Sequence, residues 1–175
     1  MFATSLGAFF NAFFPSALSF YALFHRALHL QAVYPLVHKH HHRQHAPSRG
    51  NTDAINVHPL EFVVGEYLHL LVIAAASAAL PSGVHAAAAA AFVVLGGIAA
   101  SLNHTRLDVR LGDTALGPLG YAVRAHDVHH RMPKANFGQY TQVWDVLMGS
   151  YRPYTEAPHG LKTHHINSKA VRSWQ

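Results

Sequence analysis

Charged side chains are missing from one long stretch of this chain: none lies between Glu66 and Arg106, and residues 67–103 are uncharged and mostly apolar. A helix needs about 20 apolar residues to cross the hydrocarbon of a bilayer, so the stretch has room for two spans joined by a tight turn. Pro81-Ser82-Gly83 supplies turn chemistry near its middle. The pattern predicts a helical hairpin over 62–80 and 84–102, with Gly96-Gly97 in the second span available for close backbone packing. A buried hairpin of a soluble helical protein is the competing reading, and the length of the charge-free run weighs against it. Upstream, residues 6–37 are also apolar, with Arg26 their one charge. Pro15 is expected to divide that run into a short first helix and a longer second one. No basic segment precedes it, so a retained membrane segment is expected in place of a cleaved signal peptide.

Cations follow both apolar regions: Lys39, Arg43 and Arg49 after the first, and Arg106, Arg110, Arg124, Arg131 and Lys134 after the hairpin. Lys and Arg collect on the cytoplasmic side of membrane proteins, which places both sets in the cytoplasm and the 81–85 turn opposite. Composition strengthens the membrane reading. With 13 Lys+Arg and 8 Asp+Glu in 175 residues the chain is 12% charged and 50% hydrophobic, where a soluble domain averages about 25% charged. The length predicts a single domain, residues 1–175, ending in a polar tail over 155–175. Cysteine is absent, which excludes disulfide scaffolds, thiolate metal sites, iron–sulfur clusters and cysteine nucleophiles. The net charge of +5 and pI near 9.7 accompany no basic module with interleaved aromatics, so no nucleic-acid partner is expected.

Histidine is the second excess, at 17 of 175 residues. Residues three and four apart share a helix face, so histidines at those spacings can aim their rings at one metal. His25 and His29 are four apart in an apolar segment; His38, His41 and His42 form an HxxHH group that His126, His129 and His130 repeat; His104 has Asp108 one turn later. Taken singly, an HxxxH pair is more often coincidence or a satisfied core pair, and the tract 38–45 reads equally well as a low-complexity metal-sequestering run. The repetition beside predicted membrane helices points to a metal centre. Nine candidate ligands exceed the four to six positions of one ion, so two metals are implied. Imidazole suits iron, zinc and copper. Iron accounts for the membrane setting, because a buried iron pair can activate dioxygen against an unactivated C–H bond of a lipid, chemistry that no side chain supplies.

The motifs fall in a distinctive order: Tyr21-x-x-x-His25-Arg-x-x-His29, His38-Lys-x-His41-His42, His58-Pro-Leu-Glu61, Asn103-His104-Thr105 with Asp108, and His126-Asp127-x-His129-His130. Asn136-Phe137-Gly138 and Trp144-Asp145-x-Leu147-x-Gly149-x-Tyr151 complete it. On these motifs the sequence resembles the membrane-bound fatty acid hydroxylase and sterol desaturase superfamily, over about residues 19–151. The resemblance implies an all-α integral membrane helical bundle with a histidine-rich di-metal site on its cytoplasmic side. In a eukaryote the membrane would be the endoplasmic reticulum, in a bacterium the inner membrane. It implies an O2-dependent oxidoreductase that hydroxylates or desaturates a lipid, either a sterol or a fatty acyl chain. Two iron ions, for which zinc can substitute, would serve it, with electrons from an external cytochrome b5-like or ferredoxin-like protein.

Carried over residue by residue, His25, His29, His38, His41, His42, His104, His126, His129 and His130 resemble the ligands of that family. Fatty acid 2-hydroxylases place a histidine one turn after the equivalent of His104, whereas sterol-type members often have an acid there, so Asp108 tilts the chain toward the sterol-type branch. Asp108 is then a ligand or an orienting acceptor, and Asp127 an orienting acceptor, because a ligating histidine usually donates its second N–H to a carboxylate or carbonyl. His58 either lines the site or caps a helix. Many members carry further membrane helices ahead of the first motif; a chain that begins almost at the motif is expected to be a minimal or a truncated member. Short carotenoid hydroxylases share similar histidine motifs at this size, but the 144–151 match favours the sterol and fatty acid group.

Two readings of other classes stay open at this point. One is a histidine-rich metal-binding or transport protein, with ligands strung across the bilayer; the other is a member that keeps the fold without catalysis. No haem, flavin or nicotinamide fingerprint is present, which is why the electron donor is expected to be external. His69 lies in a predicted span where a polar group is costly and is expected to face the protein interior. His40 and His45 are expected to be solvated or to sit behind the ligands, and His85, His159, His164 and His165 to lie at the surface. Tyr140, Trp144 and Tyr151 read as interfacial anchors or packing, and Asn136-Phe137-Gly138 as a structural turn.

Overall fold

Helix α1 (Phe14–Leu28) opens the described part of a computed structural model; residues 14–111 and 120–154 are described, with side chains from residue 20 onward. The predicted short first helix, the polar tail, and His159, His164 and His165 lie outside the described residues. Pro15 falls in the first turn of α1, where its missing N–H costs nothing. The helix does not continue to residue 37 as the apolar pattern predicts. Residues 29–40 form successive turns in which the amides of Val33, Tyr34, Val37 and His38 bond back three or four residues. The regular ladder ends before this, where the His29 and Leu30 amides bond back three residues, and Pro35, with no N–H, keeps the following turns from closing into a helix. A 3-10 turn, His41–Arg43, and a short helix α2 (Asn51–Ala54) follow.

Helices α3 (Pro59–Ala79) and α4 (Ala86–Asn103) form the hairpin. Each begins at a histidine cap: Nδ1 of His58 accepts the Leu60 amide and Nδ1 of His85 accepts the Ala87 amide, both at 3.1 Å. Between them the chain turns through Gly83, whose φ of +65° suits glycine. Both helices are long and apolar enough to cross a membrane, yet only 6% and 17% of their apolar windows are buried. Leu70, Leu71, Val94, Leu95 and Ile98 all stand exposed. A core hairpin of a soluble protein would bury such residues, so this apolar surface is one for lipid.

Ala88 and Phe92 of α4 pack on Val72, Ile73 and Ala76 of α3. The expected close packing at Gly96-Gly97 does not occur. A Cβ on Gly96 would meet the Tyr140 hydroxyl, one on Gly97 would meet nothing within 4 Å, and both glycines line a cavity. Beyond α4 come an antiparallel ribbon of β1 (Arg110–Leu111) and β2 (Tyr121–Ala122), then α5 (Val123–Arg131) and α6 (Val143–Leu147). Helices α2 and α5 pack against α4, and α1 against α3. The described chain is thus mostly helical, as expected, with its buried polar cluster at one end of the hairpin.

Candidate metal centre

Nine histidines come together at that end, in two groups. His25, His29, His38, His42 and His129 form one, and His41, His104, His126 and His130 the other; within each, ring nitrogens lie within 4.8 Å of one another. All are buried except His29, which is half-buried. The HxxHH spacing explains the division. On α5 each residue advances about 100°, so His126 and His130 stay within ~40° of each other while His129 diverges by ~100° from His130. His126 and His130 accordingly enter the second group and His129 the first. The other HxxHH group divides the opposite way, His38 and His42 to the first group and His41 to the second, although it lies on turns and a 3-10 segment, not on an α-helix. The rings gather about two points and are not strung across the hairpin.

Hydrogen bonds to the outer nitrogens fix several tautomers. Nδ1–H of His25 donates to the Phe137 carbonyl at 2.8 Å, that of His129 to Ala135 at 2.7 Å, and that of His104 to Ala100 at 2.8 Å. Nδ1–H of His38 donates to Glu61 Oε1 at 2.7 Å. A neutral imidazole has one N–H, so Nε2 of each of these rings carries a lone pair. Nε2 of His25 nonetheless stands 3.1 Å from Nε2 of His38. Two lone pairs held face to face at that distance repel unless a cation lies between them, so the arrangement fits a bound metal. His29 Nε2, buried and without a hydrogen-bond partner among the described residues, fits as well.

Spacing around the groups carries the same message. Nε2 to Nε2 separations are 3.1 Å along His38, His42 and His129, and 3.1–3.2 Å along His41, His104, His126 and His130. With metal–nitrogen bonds of ~2.1 Å, tetrahedral neighbours lie ~3.4 Å apart and right-angle neighbours ~3.0 Å. Separations in this range suit ring nitrogens that share an ion. Burial first, and neighbouring imidazoles second, hold the pKa values of His41, His42, His126, His129 and His130 well below the ordinary histidine value. The rings stay neutral, the form that binds metal.

The groups that orient these rings were only partly visible in the sequence. Glu61 belongs to the His-Pro-Leu-Glu motif, yet His58 was the residue singled out there; the structure gives His58 the cap of α3 and Glu61 the bond to His38. The carbonyls of Ala135 and Phe137 are held by the turn that contains Asn136-Phe137-Gly138. Asn136, at φ +53°, donates to the Ala125 and Arg152 carbonyls and accepts the Arg152 amide. Asp145, fully buried, accepts the Phe137 and Gly138 amides and the Ser150 hydroxyl at 2.8–2.9 Å. A Cβ on Gly138 would stand 2.1 Å from the Thr141 carbonyl oxygen, so no other residue fits that turn. What reads as a structural turn is the mount for His25 and His129.

Asp108 and Asp127 are not brought to the rings. Asp108 lies exposed between Arg110 and Arg124, at 2.8 and 2.9 Å, and the hydrogen bonds of Arg110 hold its carboxyl below the usual range. Asp127 points off the outer side of α5 to Arg131 at 2.5 Å and Arg106 at 3.6 Å. Local guanidinium groups thus capture both carboxylates. His40 bonds to Asn56 at the surface, and His69 lies half-buried in α3, facing inward as expected.

A cavity of about 330 Å³ runs from the rings into the hairpin. His25 and His38 of the first group and His41, His104 and His126 of the second reach its wall, and Phe62, Gly65, Phe92, Val93 and Gly97 extend it between α3 and α4. No solved structure matches the chain. The model of the fatty acid hydroxylase family matches residues 9–150, and with those residues holding both histidine groups and both apolar helices, the chain belongs to the fatty acid hydroxylase family.

Proposed function

We propose that this membrane protein is an O2-dependent lipid hydroxylase or desaturase served by two iron ions. The observation that carries the reading is that both histidine groups reach one largely apolar cavity that extends between two membrane-length helices. His25, His29, His38, His42 and His129 would hold one ion and His41, His104, His126 and His130 the other. Iron bound there supplies what side chains lack, the activation of O2 toward an unactivated C–H bond. In hydroxylation a lipid R–H, O2, two electrons and two protons become R–OH and water; in desaturation two adjacent C–H bonds are lost, and the same inputs give an alkene and two waters.

The chain's own residues bind, orient and exclude water. Helices α3 and α4 guide an apolar chain in from the bilayer. Glu61 and the carbonyls of Phe137, Ala135 and Ala100 keep Nδ1 protonated on four rings, so Nε2 faces inward. Electrons come from an external cytochrome b5-like or ferredoxin-like protein at the side where Arg43, Arg106, Arg124 and the histidines lie, which the distribution of cations assigns to the cytoplasm. An acid at position 108 supports the sterol-type branch of the family, and sterols head the list of substrates to test.

The test is the full-length protein, loaded with iron and given an electron donor and 18O2 with candidate sterols and acyl lipids. Two bound metals and an oxidised lipid are expected from the wild type. His129→Ala should lose metal and product while still inserting in the membrane. A wild type that binds no metal and leaves every lipid unaltered overturns the proposal.

A further inference from the structure

Away from the histidine groups the cavity wall is not purely apolar. His69, midway along α3, lines it. Its Nδ1–H donates to the Gly65 carbonyl one turn back at 2.8 Å, which leaves Nε2 a lone-pair acceptor with no partner among the described residues. The ring sits between Tyr21 at 5.6 Å and Phe92 at 5.8 Å. Tyr21 in turn packs on Tyr140 at 6.0 Å and on His25 at 5.9 Å, so one aromatic ring separates His69 from the first histidine group. Tyr140 places its hydroxyl against α4 where a Cβ on Gly96 would come within 3.3 Å. Neither phenol oxygen has a hydrogen bond among the described residues. Glu66, two turns into α3, lines the same cavity without an ion pair among the described residues.

A polar group inside a membrane span is costly unless it meets a partner, and His69 and Glu66 of α3 share with Tyr21 of α1 and Tyr140 a cavity that runs to the histidines. We infer that His69, Tyr21, Tyr140 and Glu66 form a station that binds the hydroxyl of a lipid alcohol and presents a nearby carbon to the histidine groups. The inference rests on the lipid-oxidase reading and narrows its substrate class. An alcohol O–H donates to His69 Nε2 while its oxygen accepts from a tyrosine hydroxyl. An alkane has nothing to offer the station, and a free carboxylate has no O–H to donate to His69 Nε2.

The test compares octadecanol, octadecane and octadecanoate as competitors for a fluorescent long-chain alcohol, on the full-length protein in phosphatidylcholine nanodiscs. Octadecanol should bind about tenfold tighter than either of the others, one well-placed hydrogen-bonded group being worth that much. His69→Leu should reduce octadecanol to the level of octadecane with metal content unchanged, and His69→Gln, whose amide oxygen still accepts, should retain part of the preference. Tyr140→Phe removes one hydroxyl alone and should cost several-fold, which keeps the test open should His69→Leu fail to fold. Unchanged selectivity in the folded variants, or a wild type that binds the alkane or carboxylate as tightly as the alcohol, overturns the station. Product measured in the same samples separates the two ideas: alcohol preference without oxidation sinks the enzyme reading alone, and oxidation without alcohol preference sinks the station alone.

Discussion

Replacing Glu61 by Gln should loosen one metal site and spare the other. Glu61 Oε1 accepts Nδ1–H of His38 at 2.7 Å, a bond between two buried groups, and His38 belongs to the five-histidine group. A hydrogen bond to a carboxylate is worth ~1.5–3 kcal/mol and one to a neutral amide about 1 kcal/mol. The difference, ~0.5–2 kcal/mol, is ~2–30-fold in metal dissociation constant. Glu61→Ala removes the acceptor and strands a buried N–H, which raises the expected loss to ~10–100-fold. None of His41, His104, His126 and His130 bonds to Glu61, so the second site should keep its affinity. Anaerobic titration of the purified protein with iron(II) against a competing chelator resolves the two sites. At a chelator concentration that still leaves both wild-type sites filled, Glu61→Ala should retain one ion where the wild type retains two. Equal weakening at both sites, or none at either site in the Ala variant, would refute the idea that Glu61 acts through His38.

The mount of His25 and His129 offers further tests. Gly138→Ala drives a Cβ into the Thr141 carbonyl, and overpacking of that severity should cost ~3 kcal/mol or more; a thermal midpoint equal to wild type would contradict the geometry. Asp145→Asn keeps one acceptor oxygen and turns its NH2 toward one of the two backbone amides that now bond separate carboxylate oxygens, so ~1–3 kcal/mol of stability should go and metal in the five-histidine group should weaken, as read by thermal unfolding and metal analysis. Ring pKa values held well below the ordinary ~6.5 mean that protons compete poorly for the site. Metal affinity should therefore fall far less between pH 7 and 5.5 than that of an exposed histidine tract, whose rings protonate there. The unfolded chain does take up those protons, so metal-free stability should fall as pH drops below ~6.5; a steep loss of metal affinity at that pH in the folded protein would sink this account.

How much of the protein is legible in its sequence depends on the range of the interaction. The hairpin is legible because it is a statement about absence: no charge from 67 to 103 leaves few alternatives to a pair of spans. The pairing of histidines four apart is legible because that spacing is a local geometric fact, whereas the parting of residues three apart into different groups and the meeting of the motifs are tertiary. The end of α1 at Leu28 has no breaker beside it, and the unbroken apolar pattern to 37 gives no sign of it. Gly96-Gly97 reads as close packing or as open space, and which neighbour faces a glycine is a tertiary fact. The carbonyls of Ala100, Ala135 and Phe137 have no signature, since every residue has one. Glu61 meets His38 across 23 positions, and nothing local in either motif joins them. Asp108 misled for the opposite reason: proximity to His104 suggested one partner, while Arg110 and Arg124, better matched in charge, took the carboxylate.

That capture bears on why the centre uses so much histidine. Carboxylate ligands would bring buried negative charge to the edge of a bilayer, where any mismatch with metal leaves an unpaired anion at a cost of several kcal/mol. Neutral rings avoid it. Asp53, Asp108 and Asp127 instead neutralise Arg49, Arg110, Arg124, Arg106 and Arg131 around the rim, and among the described residues Glu61 is the one carboxylate hydrogen-bonded to a ring of either group. The burial that makes charge costly is the same burial that lowers the ring pKa values. Scarcity of charge therefore belongs to the hairpin, and abundance of imidazole to two clusters of donors that remain neutral when water is removed.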